Sequence, residues 1–322
     1  MKPTVLALVG PTGAGKTRTA IALCDALGAE IVSMDSMQIY RGMDIGTAKP
    51  TPEERAQAVH HMIDVADPRE IFTVSMYRDM AAGVIDGILT RGRLPILVGG
   101  TGLYLNALSY EMNLGEDGAN RALRGELNAI AGEPGGPQRL HERLQSVDPE
   151  SAARLHPNDV RRVVRAIEVY ETTGRPMSSM DGDMRREGPY RMLVYGLSLP
   201  REQMYARINA RVDRMMADGL VDEVKALLAQ GVEPRREGGA MQAIGYKEIV
   251  AALRGETDMN TAVSLIKQSS RRYAKRQWTW FRHDPRVQWF DFTQYADEQA
   301  LQAALLARIH ADMAQHATDP AG

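Results

Sequence analysis

Eight residues near the start of the chain, Gly10 to Thr17, limit its architecture more strongly than any other segment. They read Gly-Pro-Thr-Gly-Ala-Gly-Lys-Thr and match the pattern Gly-x4-Gly-Lys-Ser/Thr. An apolar run from Val5 to Val9 precedes them, and a helix-forming segment from Thr17 to Leu27 follows. This motif occurs between a buried strand and a helix, so the sequence predicts a strand–loop–helix unit in a parallel α/β sheet. A chance glycine turn would lack those flanks.

Such a loop is expected to bind a di- or triphosphate group. Its glycines let backbone N–H groups turn toward phosphate oxygens, and the following helix N-terminus adds partial positive charge. Lys16 supplies a full charge, and the Thr17 hydroxyl is a candidate Mg²⁺ ligand. The predicted phosphate-binding residues are Gly10, Thr12, Gly13, Ala14, Gly15, Lys16 and Thr17.

Alternating strand and helix patterns continue along the chain. Strands are predicted at Glu30–Met34, Leu94–Val98 and Arg191–Leu199, and a helix at Val74–Thr90. Further helices are predicted from Arg201 to about Gln230, from Tyr246 to Arg254 and from Asn260 to Phe281. The fold class is therefore α/β, with a P-loop NTPase-like parallel sheet flanked by helices.

The sequence becomes polar and helix-prone from Met112 to Gly188, which predicts an inserted all-helical domain. The predicted division has three parts. Residues 1–111 and 189–300 form a discontinuous core that includes a basic helix, residues 112–188 form the insertion, and residues 301–322 form a C-terminal helix and tail.

Composition excludes several classes of protein. A single cysteine, Cys24, excludes an intrachain disulfide and a Cys-rich zinc site. No apolar stretch approaches the ~18 residues needed to span a bilayer. The apolar run at the N-terminus is too short for a signal sequence, so we expect a cytoplasmic protein without a membrane partner.

Asp35 directly follows the second predicted strand, which places it near the phosphate loop at the carboxyl edge of the sheet. It is a candidate general base, and the alternative is an ordinary loop or helix-capping carboxylate. The strand Pro95–Val98 ends in Gly99-Gly100-Thr101 rather than in a second Mg²⁺-binding acid. That ending argues against an ATP-driven motor or a GTPase switch. It indicates that the phosphates belong to a substrate whose other end reacts.

A segment from Met259 to His283 contains no acidic residue. It carries Lys267, Arg271 and Lys275 on one predicted helix face, together with several aromatic residues. Such a surface suits single-stranded nucleic acid, and the alternative is a solvated cationic helix with core tryptophans. The cations are Lys267, Arg271, Arg272, Lys275, Arg276 and Arg282, and the aromatic residues are Tyr273, Trp278, Trp280 and Phe281.

Taken together, these segments resemble the bacterial tRNA dimethylallyltransferases, also called tRNA isopentenyltransferases. The resemblance spans residues 4 to 290 in order. It is carried by Gly10–Thr17, Asp35–Tyr40, Asp44–Pro50, Gly99–Tyr104, Asn158–Arg165, Ala243–Glu248 and Lys275–Arg282.

The resemblance implies transfer of a dimethylallyl group from dimethylallyl diphosphate to N6 of adenosine 37 in tRNAs that read codons beginning with U. It implies Mg²⁺ as cofactor, held by Thr17, and the tRNA anticodon stem-loop as partner. No obligate protein partner is implied, and a monomer would suffice. In this assignment Asp35 is the general base, Lys16 and Thr101 complete the catalytic set, and Arg211 joins the loop in binding diphosphate.

The resemblance also assigns a set of tRNA-contacting residues. They are Asp35, Ser36, Met37, Gln38, Thr101, Arg124, Arg161, Arg162, Arg165, Gln242, Gly245, Tyr246, Lys247, Lys275, Arg276, Gln277, Trp278 and Arg282.

Three other functions are compatible with parts of the sequence. A P-loop kinase of a nucleoside or small metabolite would explain Lys16 and Asp35 but not the basic segment. An adenylate isopentenyltransferase would use the same chemistry on free nucleotides. A non-catalytic RNA-binding protein with a vestigial loop would not need an intact Lys16, Thr17 and Asp35.

Overall fold

The computed structural model describes residues 2–112, 121–180, 186–234 and 239–317. The chain forms two compact units, one made of residues 1–108 and 189–322 and the other of residues 109–188. The two units meet after residues 108 and 188, and the sequence predicts boundaries after residues 111 and 188. The predicted tail beyond residue 317 lies outside the described residues.

The first unit is built on one parallel sheet of six strands, in the order β3-β2-β4-β1-β5-β6. The strands are β1 (Thr4–Val9), β2 (Ala29–Met34), β3 (His60–His61), β4 (Leu94–Gly99), β5 (Arg191–Ser198) and β6 (Val287–Asp291). The predicted α/β class is therefore confirmed.

The described residues also form α-helices, numbered here along the chain. They are α1 (Lys16–Leu27), α2 (Pro52–Gln57), α3 (Val74–Thr90), α4 (Gly102–Ser109), α5 (Arg121–Ala131), α6 (Gly136–Val147), α7 (Pro149–Arg154), α8 (Val160–Thr173), α9 (Arg201–Ala217), α10 (Leu220–Ala229), α11 (Tyr246–Leu253), α12 (Met259–Arg282) and α13 (Glu298–Ala317). None of them is both long and apolar enough to cross a membrane.

Both faces of the sheet are covered, as the apolar strands require. Side chains of β1 alternate between two cores, with Leu6 and Leu8 in one and Val5, Ala7 and Val9 in the other. The first core also receives α1 and α13, and the second receives α3 and α4. Helix α13 thus belongs to the first unit, whereas the division predicted from the sequence places residues 301–322 in a separate C-terminal segment.

The long helix predicted from Arg201 to about Gln230 is wrong. The chain forms two helices, α9 and α10, because it turns at Gly219 with a φ of 99°. That left-handed conformation suits glycine, so a helix cannot run through this position.

The second unit contains α5 to α8 around its own apolar core. The core side chains include Leu127, Leu140, Leu144, Val163 and Ile167. In α8 the residues from Val163 to Val169 are buried except Arg165, which is half-buried, whereas Arg161 and Arg162 are exposed.

Candidate active site

Three loops meet at the carboxyl edge of the sheet. They follow β1, β4 and β2, which are neighbours in the sheet, so the phosphate loop, Thr101 and Asp35 lie side by side. The Thr101 N–H donates to the carbonyl of Met34 at 3.2 Å, and the Ser36 N–H donates to Thr101 Oγ1 at 3.3 Å. These bonds tie the loop after β4 to the loop after β2.

The phosphate loop has backbone angles that only glycine adopts easily. Gly10, Gly13 and Gly15 have φ values of 141°, 85° and 84°. A Cβ at Gly10 would also lie 2.5 Å from the carbonyl oxygen of Leu197 on β5. The glycines of the motif are therefore required by conformation and by the neighbouring strand.

Lys16 lies across this loop and donates from Nζ to the carbonyls of Gly10 and Pro11, both at 2.9 Å. Burial and the nearby Arg211 guanidinium lower the pKa of Lys16 to about 7, against a smaller opposing effect of Asp35. An anion bound in the loop would favour the charged form of this amine.

Arg211 reaches the same loop from α9. Its guanidinium donates to Thr12 Oγ1 at 3.2 Å and is partly buried. The structure therefore brings the predicted diphosphate-binding arginine to the predicted loop, although about 200 residues separate them in sequence.

Asp35 has features that fit each of the two roles that the sequence left open. Its Oδ1 accepts the Met37 N–H at 2.9 Å, so the carboxylate does cap its own turn. It also interacts electrostatically with Lys16 and Arg211. Burial raises the pKa of Asp35, and the hydrogen bonds and the two cations oppose this rise only in part. A carboxylate held this way has the raised proton affinity that a general base needs.

Gln38 links the Asp35 turn to the next loop. Its Oε1 accepts from Ser33 Oγ at 3.0 Å, and its Nε2 donates to the carbonyls of Thr47 and Ala48 at 3.3 and 3.1 Å. Ser36 and Met37 beside it are partly exposed.

Tyr246 was predicted to contact tRNA, and the structure places its side chain inside the protein. The side chain is 0% exposed, and its hydroxyl donates to Glu223 Oε1 at 2.6 Å. Glu223 also accepts the N–H groups of Asp44, Ile45 and Gly46 at 2.8, 2.7 and 3.1 Å. Through Glu223, Tyr246 therefore anchors the loop of residues 44–48, whose carbonyls also accept from Gln38. In the same segment Gly245 is buried, Gln242 is partly buried and Lys247 is exposed.

Helix α12 does not present all of its cations to solvent. Lys267 pairs with Asp213 of α9 at 2.5 Å, and the Arg271 guanidinium donates to Asn209 at 2.6 Å. Acidic compensation thus comes from another helix, which the sequence of α12 alone could not reveal. Four cations of α12 remain exposed, namely Arg272, Lys275, Arg276 and Arg282.

Two other residues of α12 face inward rather than toward a ligand from solution. Gln277 is 5% exposed, accepts the Thr12 N–H at 2.8 Å and donates to the Gly100 carbonyl at 3.1 Å. Trp278 is half-buried and packs on Trp289 with ring centroids 4.6 Å apart. Both ends of the Gln277 amide are thus already hydrogen-bonded within the protein, and the predicted tRNA contact of Gln277 stays a prediction. Its spacing from Ala274 and Phe281 on the buried face of α12 is the sequence signal that indicates burial.

In the second unit, two predicted tRNA-contacting arginines share one buried carboxylate. Arg124 and Arg165 approach Glu168 Oε2 at 2.6 and 3.1 Å, and Glu168 is 1% exposed. Arg161 is exposed, and Arg162 is exposed beside Asp159 at 3.4 Å. The carboxylate thus orients a pair of guanidinium groups on this unit.

The described residues offer few candidate ligands for Mg²⁺. Among the described residues there is no group of three or more His, Cys, Asp or Glu side chains arranged to bind a metal. Mg²⁺ bound to phosphates typically keeps one or two protein oxygens and several waters, so the partly exposed Thr17 hydroxyl at the start of α1 fits that pattern.

A phosphate loop beside a half-buried carboxylate, with no second acid directly after β4, fits a transferase that holds a phosphorylated substrate. Comparison with known proteins identifies the family of this transferase. The family model "IPP transferase" matches residues 38–284, and the model "Isopentenyl transferase" matches residues 3–67. The chain belongs to the IPP transferase family of prenyltransferases.

Individual relatives agree with this assignment. The chain is 50% identical over 293 residues to a tRNA dimethylallyltransferase of Symbiobacterium thermophilum, covering 91% of both. It is 48% identical over 293 residues to the tRNA dimethylallyltransferase of Geobacillus thermodenitrificans, covering 91% of this chain and 92% of that one. A solved full-length tRNA isopentenylpyrophosphate transferase of Bacillus halodurans has 44% identity, 98% coverage of both chains and a TM-score of 0.73. A eukaryotic dimethylallyltransferase acting on tRNA has 29% identity and a TM-score of 0.78, covering 94% of this chain and 78% of its own.

Proposed function

We propose that this enzyme transfers the dimethylallyl group of dimethylallyl diphosphate to N6 of adenosine 37 in tRNAs that read codons beginning with U. The observation that carries the proposal is the position of the Asp35 carboxylate beside Lys16, Arg211 and the phosphate loop. The phosphate loop suits a diphosphate, and the Asp35 carboxylate offers a base to an amine.

The phosphate loop would hold the part of the donor that leaves. The ammonium of Lys16 would exchange its bonds to the Gly10 and Pro11 carbonyls for phosphate oxygens, and Arg211 would add a second cation. Thr17 would hold Mg²⁺, which when bound supplies further positive charge for the departing diphosphate. These groups favour breaking of the allylic carbon–oxygen bond because they stabilise the charge that develops on the leaving oxygen.

Asp35 would act on the acceptor. The exocyclic amine of adenine is a poor nucleophile because its lone pair is delocalised into the ring. As the new carbon–nitrogen bond forms, the amine proton passes to the Asp35 carboxylate, and the bond electrons of the leaving group pass to diphosphate. General-base assistance of this kind contributes about 10²–10⁴ in rate.

The RNA would be held by exposed cations. Arg272, Lys275, Arg276 and Arg282 of α12 lie on the same helix as Tyr273, whose hydroxyl is in hydrogen-bonding contact with Thr101. The arginines of the second unit would add phosphate contacts. Adenosine 37 would have to leave its stack, which costs a few kcal/mol that these contacts offset. We propose a monomer acting in the cytoplasm.

Nucleoside mass spectrometry tests this function. The protein is incubated with dimethylallyl diphosphate, Mg²⁺ and an anticodon stem-loop carrying adenosine 37, with a guanosine 37 stem-loop as control. One prenyl unit is expected on adenosine in the first RNA and none in the second. Prenylation of free AMP at a comparable rate would favour an adenylate isopentenyltransferase. Transfer of phosphate from [γ-³²P]ATP to a metabolite would favour a kinase.

A further inference from the structure

The Gln277 side chain joins two loops that belong to different halves of the site. Its carbonyl oxygen accepts the backbone N–H of Thr12 in the phosphate loop at 2.8 Å. Its amide nitrogen donates to the carbonyl of Gly100, one residue before Thr101, at 3.1 Å. The amide is buried, so neither bond competes with water.

The fit around this amide is close. A Cβ at position 100 would lie 1.8 Å from Gln277 Nε2, so any side chain there would displace the amide from its present position. The two bonds require one acceptor and one donor on a single planar group. Among side chains of this length, only an amide or a protonated carboxyl supplies both.

Each of the two loops that Gln277 contacts is also hydrogen-bonded to a segment predicted to bind a substrate. Thr12 receives the Arg211 guanidinium on its hydroxyl while Gln277 holds its N–H, so the amide fixes the residue on which Arg211 rests. On the other side, Thr101 accepts from the Ser36 N–H beside Asp35. The Tyr273 hydroxyl also contacts both Gln277 and Thr101.

We propose that Gln277 is a positioning residue that sets the distance between the phosphate loop and the Thr101 loop, and that it does not itself bind RNA. The effect of Gln277 on the Thr101 loop, where the RNA would bind, rests on the proposed function. Its effect on the phosphate loop requires only that this loop bind pyrophosphate, so the two effects can fail separately.

Two substitutions of Gln277 differ in a way that isolates the hydrogen bonds. Gln277→Met keeps the length of the side chain and removes both bonds at every pH. Gln277→Glu keeps the shape but, when ionised, accepts from Thr12 and cannot donate to Gly100. Once protonated, the introduced carboxyl again offers one donor and one acceptor. Gln268→Glu is the matched control, since Gln268 is an exposed glutamine on the same helix.

Calorimetric titration with magnesium pyrophosphate reads out the donor site without catalysis. At pH 8 we expect both Gln277 variants to bind pyrophosphate at least about tenfold more weakly than the unsubstituted protein, since buried polar groups lose their partners. At pH 6 the deficit of Gln277→Glu, relative to the unsubstituted protein at the same pH, should shrink, while that of Gln277→Met should persist. Gln268→Glu should stay within about twofold at both pH values, because it replaces no buried hydrogen bond.

The affinity for the anticodon stem-loop separates positioning from contact. We expect it to stay within about twofold in both Gln277 variants, because a buried amide makes no phosphate contact. Unchanged pyrophosphate affinity in Gln277→Met would overturn the proposal, and so would a tenfold loss of RNA affinity with normal pyrophosphate binding. If one variant fails to fold, as judged by circular dichroism, the other still decides. Normal pyrophosphate results in a protein that prenylates no RNA would refute the proposed function and leave this inference standing.

Discussion

Replacing Lys16 by methionine should stabilise the ligand-free protein while removing its ability to hold diphosphate. The side chains have similar length, so the change removes mainly the charge and two hydrogen bonds to the carbonyls of Gly10 and Pro11. Burial and Arg211 lower the pKa of Lys16 from 10.5 to about 7. The native state therefore disfavours the ammonium that the unfolded chain readily carries.

The magnitude follows from linkage between protonation and folding. A pKa lowered from 10.5 to about 7 corresponds to a penalty of roughly 5 kcal/mol when both states are charged. Between these pH values the unfolded chain binds more protons, so stability rises with pH, and the full penalty is present below about pH 7. Loss of two hydrogen bonds at about 1–2 kcal/mol each leaves a net gain of roughly 1–3 kcal/mol at low pH.

Thermal melting measures this gain. For a chain of 322 residues, Lys16→Met should melt about 2–4 °C higher than the unsubstituted protein at pH 6.5. The difference should vanish between about pH 7.5 and pH 9 and reverse above that range, where the remaining penalty is smaller than the loss of the two hydrogen bonds. Magnesium pyrophosphate should raise the melting temperature of the unsubstituted protein much more than that of the variant. A variant that melts lower at pH 6.5, or whose advantage does not change with pH, would refute the reasoning.

Two further predictions test the roles of individual residues. Tyr246→Phe should leave the affinity for tRNA unchanged, because the ring is buried, and should destabilise the protein by about 1–3 kcal/mol through loss of the bond to Glu223, as measured by denaturant unfolding. Weaker tRNA binding with normal stability would restore the original assignment. Arg276→Gln should lower tRNA affinity and reduce the slope of log K against log salt by about 1, whereas Arg271→Gln, whose guanidinium faces Asn209, should leave the slope unchanged. Equal slopes in the two variants would contradict this division of the α12 cations.

The phosphate loop and its flanks could be predicted because their constraints are local. A glycine-rich turn between an apolar strand and a helix has one common solution, and the observed β1 and α1 differ from the predicted ends by one residue each. Gly28 ends α1 in the left-handed conformation that favours glycine. Asp35 could be placed at the site because parallel strands bring their carboxyl ends together. Thr101 was assigned to it through the family resemblance.

What the sequence could not show are the contacts made across long sequence separations. Tyr246 and Gln277 lie in segments that resemble tRNA-contacting regions, but residues far away in sequence, Glu223 and Thr12, bind their polar ends. Asp213 of α9 neutralises Lys267 in the same manner. Periodicity indicates that a helix face is buried, but it does not identify the partner. The break at Gly219 was missed because an isolated glycine within an amphipathic pattern is compatible with a continuous helix.

The division of labour between Asp35 and the phosphate loop is tested most directly by single-turnover prenyl transfer to an anticodon stem-loop by Asp35→Asn. The asparagine keeps the shape of the side chain but cannot accept the amine proton. We predict a transfer rate reduced by about 10²–10⁴, with pyrophosphate affinity equal to or tighter than that of the unsubstituted protein, since a negative charge near Lys16 is removed. Transfer at the full rate by Asp35→Asn would contradict the role of Asp35 as the base.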